Sequence, residues 1–194
     1  MDRLAPGRPG RPAASTREAA LELATRRFLA CERVEVGAIA RELGLARATM
    51  HRWFSTRESL LGEMLATLAE QRMRASRRRA VGAGAPALLA CFDAFNVELA
   101  ESDGLRNLLA QEHERALRIL TSSAGSVQPR MVAVVRELIE VEVSAGTFEP
   151  RVAPPTLAYA IVRLAEAFIY NDTVAGIRGD TERLREIEAA LLGL

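Results

Sequence analysis

Residues 34–54, VEVGAIARELGLARATMHRWF, have the pattern of two short helices joined by a tight turn. Gly44 supplies the turn, because glycine adopts positive φ at little cost. A small residue, Ala40, stands where the two helices would cross. Apolar residues with helical spacing anchor both helices: Ile39, Leu43, Leu45 and Met50. This combination predicts a helix-turn-helix.

The second of these helices carries hydrogen-bond donors and no acidic residue. From Arg47 to Arg57 the chain has three arginines and neither Asp nor Glu. The donors on the outward side are Arg47, Thr49, His51 and Arg52. In the major groove of DNA, arginine reads the O6 and N7 atoms of guanine, while other donors bind phosphates. The pattern therefore predicts that this helix lies in a major groove.

The charge of the chain divides unevenly along its length. All 26 basic residues are arginine, so lysine Schiff bases, lysine general bases and P-loop phosphate sites are excluded. Residues 1–60 hold 11 arginines and 7 acidic residues, a net charge of +4, whereas residues 61–194 hold 15 and 18, a net charge of −3. This asymmetry indicates a polyanionic partner near the N-terminal part.

Cysteine content and hydropathy indicate a reduced, cytoplasmic protein without a metal or cofactor. Cys31 and Cys91 are too few for a disulfide framework or a four-ligand zinc site. The longest uncharged run, residues 80–92, is shorter than the roughly 20 residues of a membrane span. No apolar segment of a signal peptide follows the N-terminal arginines. Residues 112–114, EHE, are consecutive and would point in different directions on a helix, so they do not predict a metal site.

Helix-start signals divide the chain. The tetrapeptide STRE occurs twice, and each copy has the form of a capping box, with Ser15 and Glu18 in the first and Ser55 and Glu58 in the second. Later helices are predicted to begin at Pro86, Leu105, Pro129, Pro154 and Asp180. No segment alternates as a strand does, so the chain is predicted to be all-α, with about nine helices.

Residues 15–61 resemble the DNA-binding domain of the TetR family of transcriptional regulators. The matching positions are Ile39-Ala40, Gly44-Leu45, Thr49-Met50, Phe54 and the segment from Arg57 to Leu60. The predicted helices after residue 61 agree in number and length with the family's ligand-binding and dimerisation domain. Residues 157–176, LAYAIVRLAEAFIYNDTVAG, also resemble a subgroup that includes regulators of lactone and quorum-signal catabolism.

The resemblance implies a homodimeric repressor that binds an inverted-repeat DNA operator and is released by a small, largely apolar effector. Residues 15–60 would form the helix-turn-helix DNA-binding domain, and residues 61–194 the ligand-binding and dimerisation domain. The dimer would form through the last two long helices, residues 155–175 and 180–192. Residues 1–14, rich in proline, glycine and arginine, are predicted from their composition to be a disordered basic tail.

The family's DNA contacts fall on specific positions of this chain. They are Arg47, Ala48, Thr49, His51, Trp53 and Arg57, and the outward face adds Arg52. His51 stands where the family usually has a tyrosine, and Trp53 replaces a tyrosine or histidine. Glu35 and Ala46 stand where threonine and serine normally cap the two short helices. These departures bear on the operator sequence more than on the activity.

The N-terminal segment GRPGRP, residues 7–12, offers a second DNA contact. It resembles the arginine-proline arms that enter narrow, A/T-rich minor grooves, with Arg8 and Arg11 as the contacting residues. The alternative is a solvated tail without a DNA contact.

The resemblance also implies an effector cavity in the second domain. Its apolar walls would include Phe92, Phe95, Leu117, Met131, Val135 and Phe168. Asn96, His113 and Arg163 would offer the polar groups that orient a ligand. Each of these residues has an alternative role in an ordinary packed core, because one sequence does not separate a cavity wall from filled core.

Two other functions stay open from the sequence. One is a helical small-molecule carrier or enzyme whose front helices bind a partner protein instead of DNA. The other is a regulator that responds to a protein or an oxidant rather than to a small ligand. Binding to DNA fragments at low salt would separate the first from a repressor, and a filled helical core would indicate the second.

Overall fold

The computed structural model describes residues 16–171 and 180–194, and the regular elements in these two ranges are helices, not strands. This confirms the predicted all-α fold. The elements of the described residues are α1 Arg17–Leu29, α2 Val36–Glu42, α3 Arg47–Trp53, α4 Arg57–Arg79, α5 Gly84–Ala100, α6 Asp103–Thr121, α7 Val127–Ser144, α8 Pro154–Glu166, a π-helical segment Ala167–Asn171 and α9 Thr181–Leu192. The predicted basic tail, with Arg8 and Arg11, lies outside the described residues. None of these helices combines the length and the apolar character that crossing a membrane requires.

α1 and α4 each begin directly after a threonine. The Thr16 hydroxyl accepts a hydrogen bond from the backbone N–H three residues later at 3.2 Å. Thr56 accepts from the Ser59 N–H at 3.0 Å, and the Ser59 hydroxyl accepts from the Thr56 N–H at 3.3 Å. The predicted capping box of Ser55 and Glu58 is therefore wrong by one residue. The tetrapeptide STRE contains two adjacent hydroxyls, those of Ser55 and Thr56. Thr56 has extended backbone at the N-cap, and its hydroxyl accepts the capping hydrogen bond.

α4, with 23 residues, connects the N-terminal helices to the rest of the molecule. It packs against α1 and against α5, α6 and α7. α8 packs on α7, and α9 packs on α5 and α8, so α4 to α9 form a helical bundle. The buried apolar side chains of α4 include Leu60, Leu61, Met64, Leu65 and Met73. The predicted domain boundary at residue 60 falls inside α4, which the two units share.

A buried carboxylate, that of Glu142 on α7, joins three elements of the bundle. It accepts hydrogen bonds from the Gly84 N–H and from the Thr147 hydroxyl, each at 2.6 Å, and it pairs with Arg77 near the end of α4. Gly84 has a φ of +69°, and a Cβ there would lie 2.4 Å from the Thr147 carbonyl oxygen. Glycine is therefore required at the start of α5.

Candidate DNA interface and effector cavity

The turn between α2 and α3 closes as the sequence predicts. Gly44 has a φ of +63°. Its N–H donates to the Arg41 carbonyl at 3.2 Å, and the Leu45 N–H donates to the Ala40 carbonyl at 2.8 Å. These two hydrogen bonds form a Schellman motif, which sets the direction in which the chain leaves α2. Neither α2 nor α3 has a side-chain cap, in agreement with the residues found at the two cap positions.

α3 is anchored on one side and open on the other. Met50 is fully buried, and Thr49 and Trp53 are half-buried beside it. The exposed residues of α3 are Arg47, Ala48, His51 and Arg52. Within the described ranges, no carboxylate forms an ion pair with Arg47 or Arg52. The open side therefore leaves two guanidinium groups accessible to an external anion.

Arg57 does not belong to this open side. Its side chain is 13% exposed. Its Nη1 and Nη2 atoms each donate to a carboxylate oxygen of Glu112 at 2.8 Å, and its Nε atom donates to the Val34 carbonyl at 2.6 Å. Three of its five N–H donors are thus used within the chain, which disfavours the phosphate contact predicted for it. No sequence signal indicates this pair, since Arg57 and Glu112 are 55 positions apart.

Glu112 marks a break in α6. Its backbone angles, φ −141° and ψ 45°, are not helical although they lie inside that helix. Arg115 also donates to Glu112, at 2.9 Å, and pairs with Glu58 of α4 at 2.9 Å. The hydrogen bonds from Arg57 hold the pKa of Glu112 below its ordinary value, because they favour the charged carboxylate. These contacts tie the middle of α6 to the first turn of α4, next to the helix-turn-helix.

A cavity of about 250 Å³ lies where α1 meets the bundle. Phe28 and Leu29 contribute from α1, and Tyr170 contributes from the π-helical segment. The remaining apolar lining residues are Leu65, Leu68, Ala69, Phe95, Leu99, Leu105, Leu120 and Val127. The sequence analysis missed the α1 and α4 residues, because an apolar stripe on a helix is already explained by packing. A ligand in this cavity would touch α1, which packs against α2 and α4.

The close contact of α1 with α6 depends on Gly104. A Cβ at this position would lie 2.6 Å from the Phe28 carbonyl oxygen and 3.0 Å from its aromatic ring. Gly104 and Phe28 both line the cavity. Glycine at position 104 therefore allows α1 and α6 to approach this closely.

A second cavity, of about 40 Å³, continues the first toward α9. The two cavities share apolar lining residues from α4 to α7 and also share Tyr170. Four of the predicted effector residues line the second cavity: Phe92, Phe95, Asn96 and Met131. Its polar lining residues are Asn96, Gln128, Glu166, Tyr170 and Glu188. The larger cavity is mainly apolar, with Arg72, Glu98, Ser102 and Asp103 also in its lining, and the smaller one adds buried polar groups toward α9.

The other predicted effector residues line neither cavity. His113 is exposed on α6, Leu117 is half-buried on the same helix, and Phe168 is half-buried after α8. Val135 is buried in filled core, and the side chain of Arg163 is 45% exposed and donates to the Thr121 carbonyl and to Glu166. The two cavities do not support the ligand contacts predicted for these residues, because periodicity predicts the inward side of a helix but not which inward residues border an empty volume.

The chain is similar to known regulators in sequence and in structure. Residues 83–193 match the family described as "Tetracyclin repressor-like, C-terminal domain". A comparison with curated protein sequences gave no match. The solved structure of the TetR-family transcriptional repressor QsdR from R. erythropolis superposes with a TM-score of 0.83 at 28% identity, covering 92% of this chain and 94% of that chain.

Two more distant structures share the fold. The TetR-family repressor AlkX from Dietzia sp. strain DQ12-45-1b, implicated in biodegradation of n-alkanes, has a TM-score of 0.62 at 21% identity and covers 91% of this chain and 97% of that chain. The regulator FadR from Bacillus subtilis, solved with stearoyl-CoA, has a TM-score of 0.55 at 13% identity and covers 89% and 95%. At these identities the likeness concerns the fold alone.

Proposed function

Since the chain belongs to the TetR family of DNA-binding, ligand-responsive transcriptional regulators, we propose that it is a homodimeric repressor released from an inverted-repeat operator by a small, largely apolar ligand. The observation that carries this proposal is the open side of α3, where the exposed Arg47 and Arg52 meet no carboxylate of the described residues. QsdR and AlkX are repressors, and we assign regulation rather than catalysis to this chain. It would act in the cytoplasm, where its DNA lies.

The proposed DNA contacts follow from the exposure of each side chain. Arg47, His51 and Arg52 would reach base edges or phosphates, with Ala48 close to the groove floor. Thr49 and Trp53, half-buried, would donate to phosphates at the edge of the contact. Two copies of α3 about 34–36 Å apart would enter successive major grooves, so the operator would be an inverted repeat. Arg8 and Arg11 stay proposed minor-groove contacts.

The proposed dimer forms through α8 and α9, the helices that the family resemblance implies. α8 packs on α7, and α9 on α5, through one side each. On the other side, Tyr159 of α8 is 52% exposed, a large fraction for an aromatic side chain. A two-fold arrangement of α8 and α9 with their partner copies would cover this surface in a self-complementary interface.

Ligand control is proposed to act through α1 and α6. Phe28 and Leu29 of α1 border the cavity, and Glu112 of α6 holds Arg57 beside the helix-turn-helix. A ligand that binds better to a conformation with the wrong spacing of the two α3 helices shifts the population toward that conformation. Bound ligand then lowers the affinity for DNA by a certain factor, and bound DNA lowers the affinity for the ligand by the same factor.

The test is a gel-retardation assay with the promoter fragment beside the protein's own gene, followed by footprinting. We expect a shift at low salt and a protected region with two-fold symmetry. The absence of any shift at low salt would favour the carrier or enzyme alternative. A shift with protection of a single, asymmetric site would contradict the proposed dimer on an inverted repeat.

A further inference from the structure

We propose that the effector is an apolar molecule carrying a protonated amine, and that the amine binds between Glu188 and Glu166 at the α9 end of the cavity. This inference rests on the proposed function, because it names the ligand class of the same regulatory cavity.

Glu188 is a buried carboxylate without a cationic partner among the described residues. Its exposed fraction is 0%. The Asn96 side chain on α5 donates from Nδ2 to its two oxygens at 3.1 and 3.2 Å. Asp93, also on α5, adds a second negative charge nearby and binds Arg185, which is exposed. The amide of Asn96 satisfies one hydrogen-bonding need of the carboxylate and supplies no charge to balance it.

Glu166 of α8 lines the same small cavity and is also buried. Arg163 donates to it at 2.7 Å from the surface side of α8, and Arg163 itself does not line the cavity. Tyr170 lies one turn later, in the π-helical segment. Burial raises the pKa of its phenol, and the nearby Glu166 carboxylate raises it further. π-helical segments are frequent at functional sites.

The physical argument is the cost of burying a negative charge. Burial raises the pKa of Glu188 and of Glu166 to about 7, because a carboxylate loses favourable hydration in an apolar surrounding. A cation bound beside these carboxylates would replace part of that hydration and would favour their ionised forms, above all that of Glu188, which has no cationic partner among the described residues. The small cavity, of about 40 Å³, has room for an ammonium group, and the larger one accepts the apolar part.

An anionic head group meets the opposite situation. Arg72 is the single arginine among the described residues that line the two cavities, and it is paired with Glu98 at 2.6 Å. A carboxylate or phosphate on the ligand would therefore face Glu166 and Glu188 without an unpaired arginine among the described lining residues. These carboxylates disfavour a neutral head group less strongly than an anionic one. The charge of the ligand's head group is therefore the property to test.

The test compares n-octylamine, n-octanol and n-octanoate, which share one alkyl chain, by titration calorimetry on the full chain without DNA at neutral pH. We expect octylamine to bind at least about tenfold more tightly than octanol, and octanoate to bind most weakly. Equal or tighter binding of octanol or octanoate would overturn the proposal, as would the failure of octylamine to bind.

Variants locate the amine. Glu188→Gln keeps the size of the side chain and an acceptor for Asn96, and should weaken octylamine binding about tenfold while leaving octanol unchanged. Glu166→Gln should weaken octylamine binding in the same way, and it tests the proposal if Glu188→Gln fails to fold. Glu149→Gln, an exposed acid after α7, is the matched control and should bind as the original chain does. Octylamine affinity that is unchanged in the variants of Glu188 and Glu166 would refute the assignment.

A pH series gives a second readout without any substitution. Octylamine affinity should rise about tenfold from about pH 6 to about pH 8, as the two carboxylates ionise, whereas octanol affinity should not. A flat octylamine profile would contradict the proposal. These titrations contain no DNA, so they test the ligand class separately from the repressor function. Operator binding without amine binding would reject only the ligand class. Amine binding without operator binding would reject only the repressor function.

Discussion

Arg57, the first residue of α4, donates from both terminal nitrogens to both carboxylate oxygens of Glu112, at the point where α6 leaves helical geometry. The same guanidinium also holds the Val34 carbonyl, directly before α2. One side chain thus connects the bundle, the long α4 helix and the helix-turn-helix. A displacement of α6 by a ligand would reach the DNA-binding unit through this contact.

We expect Arg57 and Glu112 to be energetically coupled. A double-mutant cycle with Arg57→Ala and Glu112→Ala, measured by urea unfolding, should give a coupling of about 1–3 kcal/mol, because the pair is mostly shielded from water. The control cycle, Arg74→Ala with Glu137→Ala, removes a bidentate pair that is far more exposed and should give less than about 1 kcal/mol. Equal coupling in the two cycles would contradict the proposed role.

The acid stability of the protein should depend on the same pair. The folded-state pKa of Glu112 is lowered, so its contribution to stability is present above the ordinary pKa of a glutamate and is lost as the pH falls through the folded-state value. Arg57→Ala should therefore make unfolding less sensitive to acid below about pH 4.5. Parallel pH profiles for the two proteins, measured by circular dichroism, would count against this explanation.

We expect operator binding to depend on the open side of α3. Arg47→Ala and Arg52→Ala should each weaken binding by about 1–3 kcal/mol, a factor of roughly 5 to 150, without changing dimerisation or helicity. Arg78→Ala removes the same charge from the exposed end of α4 and should have little effect. Fluorescence anisotropy with the promoter fragment measures the affinities. Undiminished affinity in both α3 variants would reject α3 as the recognition helix.

The salt dependence of binding separates Arg57 from the arginines of α3. An α3 arginine that binds a phosphate contributes about one unit to the slope of log affinity against log salt concentration, and its replacement by alanine should remove that unit. Arg57→Ala should leave the slope unchanged, even if affinity falls through the loss of its internal contacts. A slope reduced by about one in Arg57→Ala would restore Arg57 as a phosphate contact.

We expect Gly104→Ala to destabilise the contact between α1 and α6. The added Cβ would overlap the Phe28 carbonyl oxygen, and relief of such an overlap in packed surroundings typically costs about 1–3 kcal/mol. Gly37→Ala is the control, since a Cβ there meets nothing within 4 Å and alanine favours the α2 helix. Thermal unfolding of both variants tests the difference, and equal melting temperatures would contradict it.

Replacing Glu188 should change how stability depends on pH. The folded-state pKa of Glu188 is about 7, above the ordinary value of 4.5, so its favourable contribution is present below pH 4.5 and is lost as the pH rises through 7. Glu188→Gln does not lose this contribution. The unfolding free energy of the variant minus that of the original chain should therefore be about 2–3 kcal/mol larger at pH 8 than at pH 4. Urea unfolding at both pH values provides the comparison, and a constant difference would refute the prediction.

The sequence by itself determined the helix-turn-helix and the all-α architecture, because the features that specify them are local. Gly44, Ala40 and Met50 lie within one short segment, and each acts through its own turn or helix face. The start of α9 at Asp180 was predictable for the same reason, since a cap bonds to an N–H three residues away. Even the local signals left an ambiguity of one residue where STRE offers two hydroxyls in succession.

Only the tertiary structure decided the role of Arg57 and the composition of the cavity. Arg57 has the sequence context of a DNA contact, but its partner, Glu112, comes from a helix far along the chain. Phe28 borders the cavity and Val135 does not, although both are apolar residues on buried helix faces. The period of a helix specifies which side faces inward, whereas the space left between inward side chains depends on how several helices pack together.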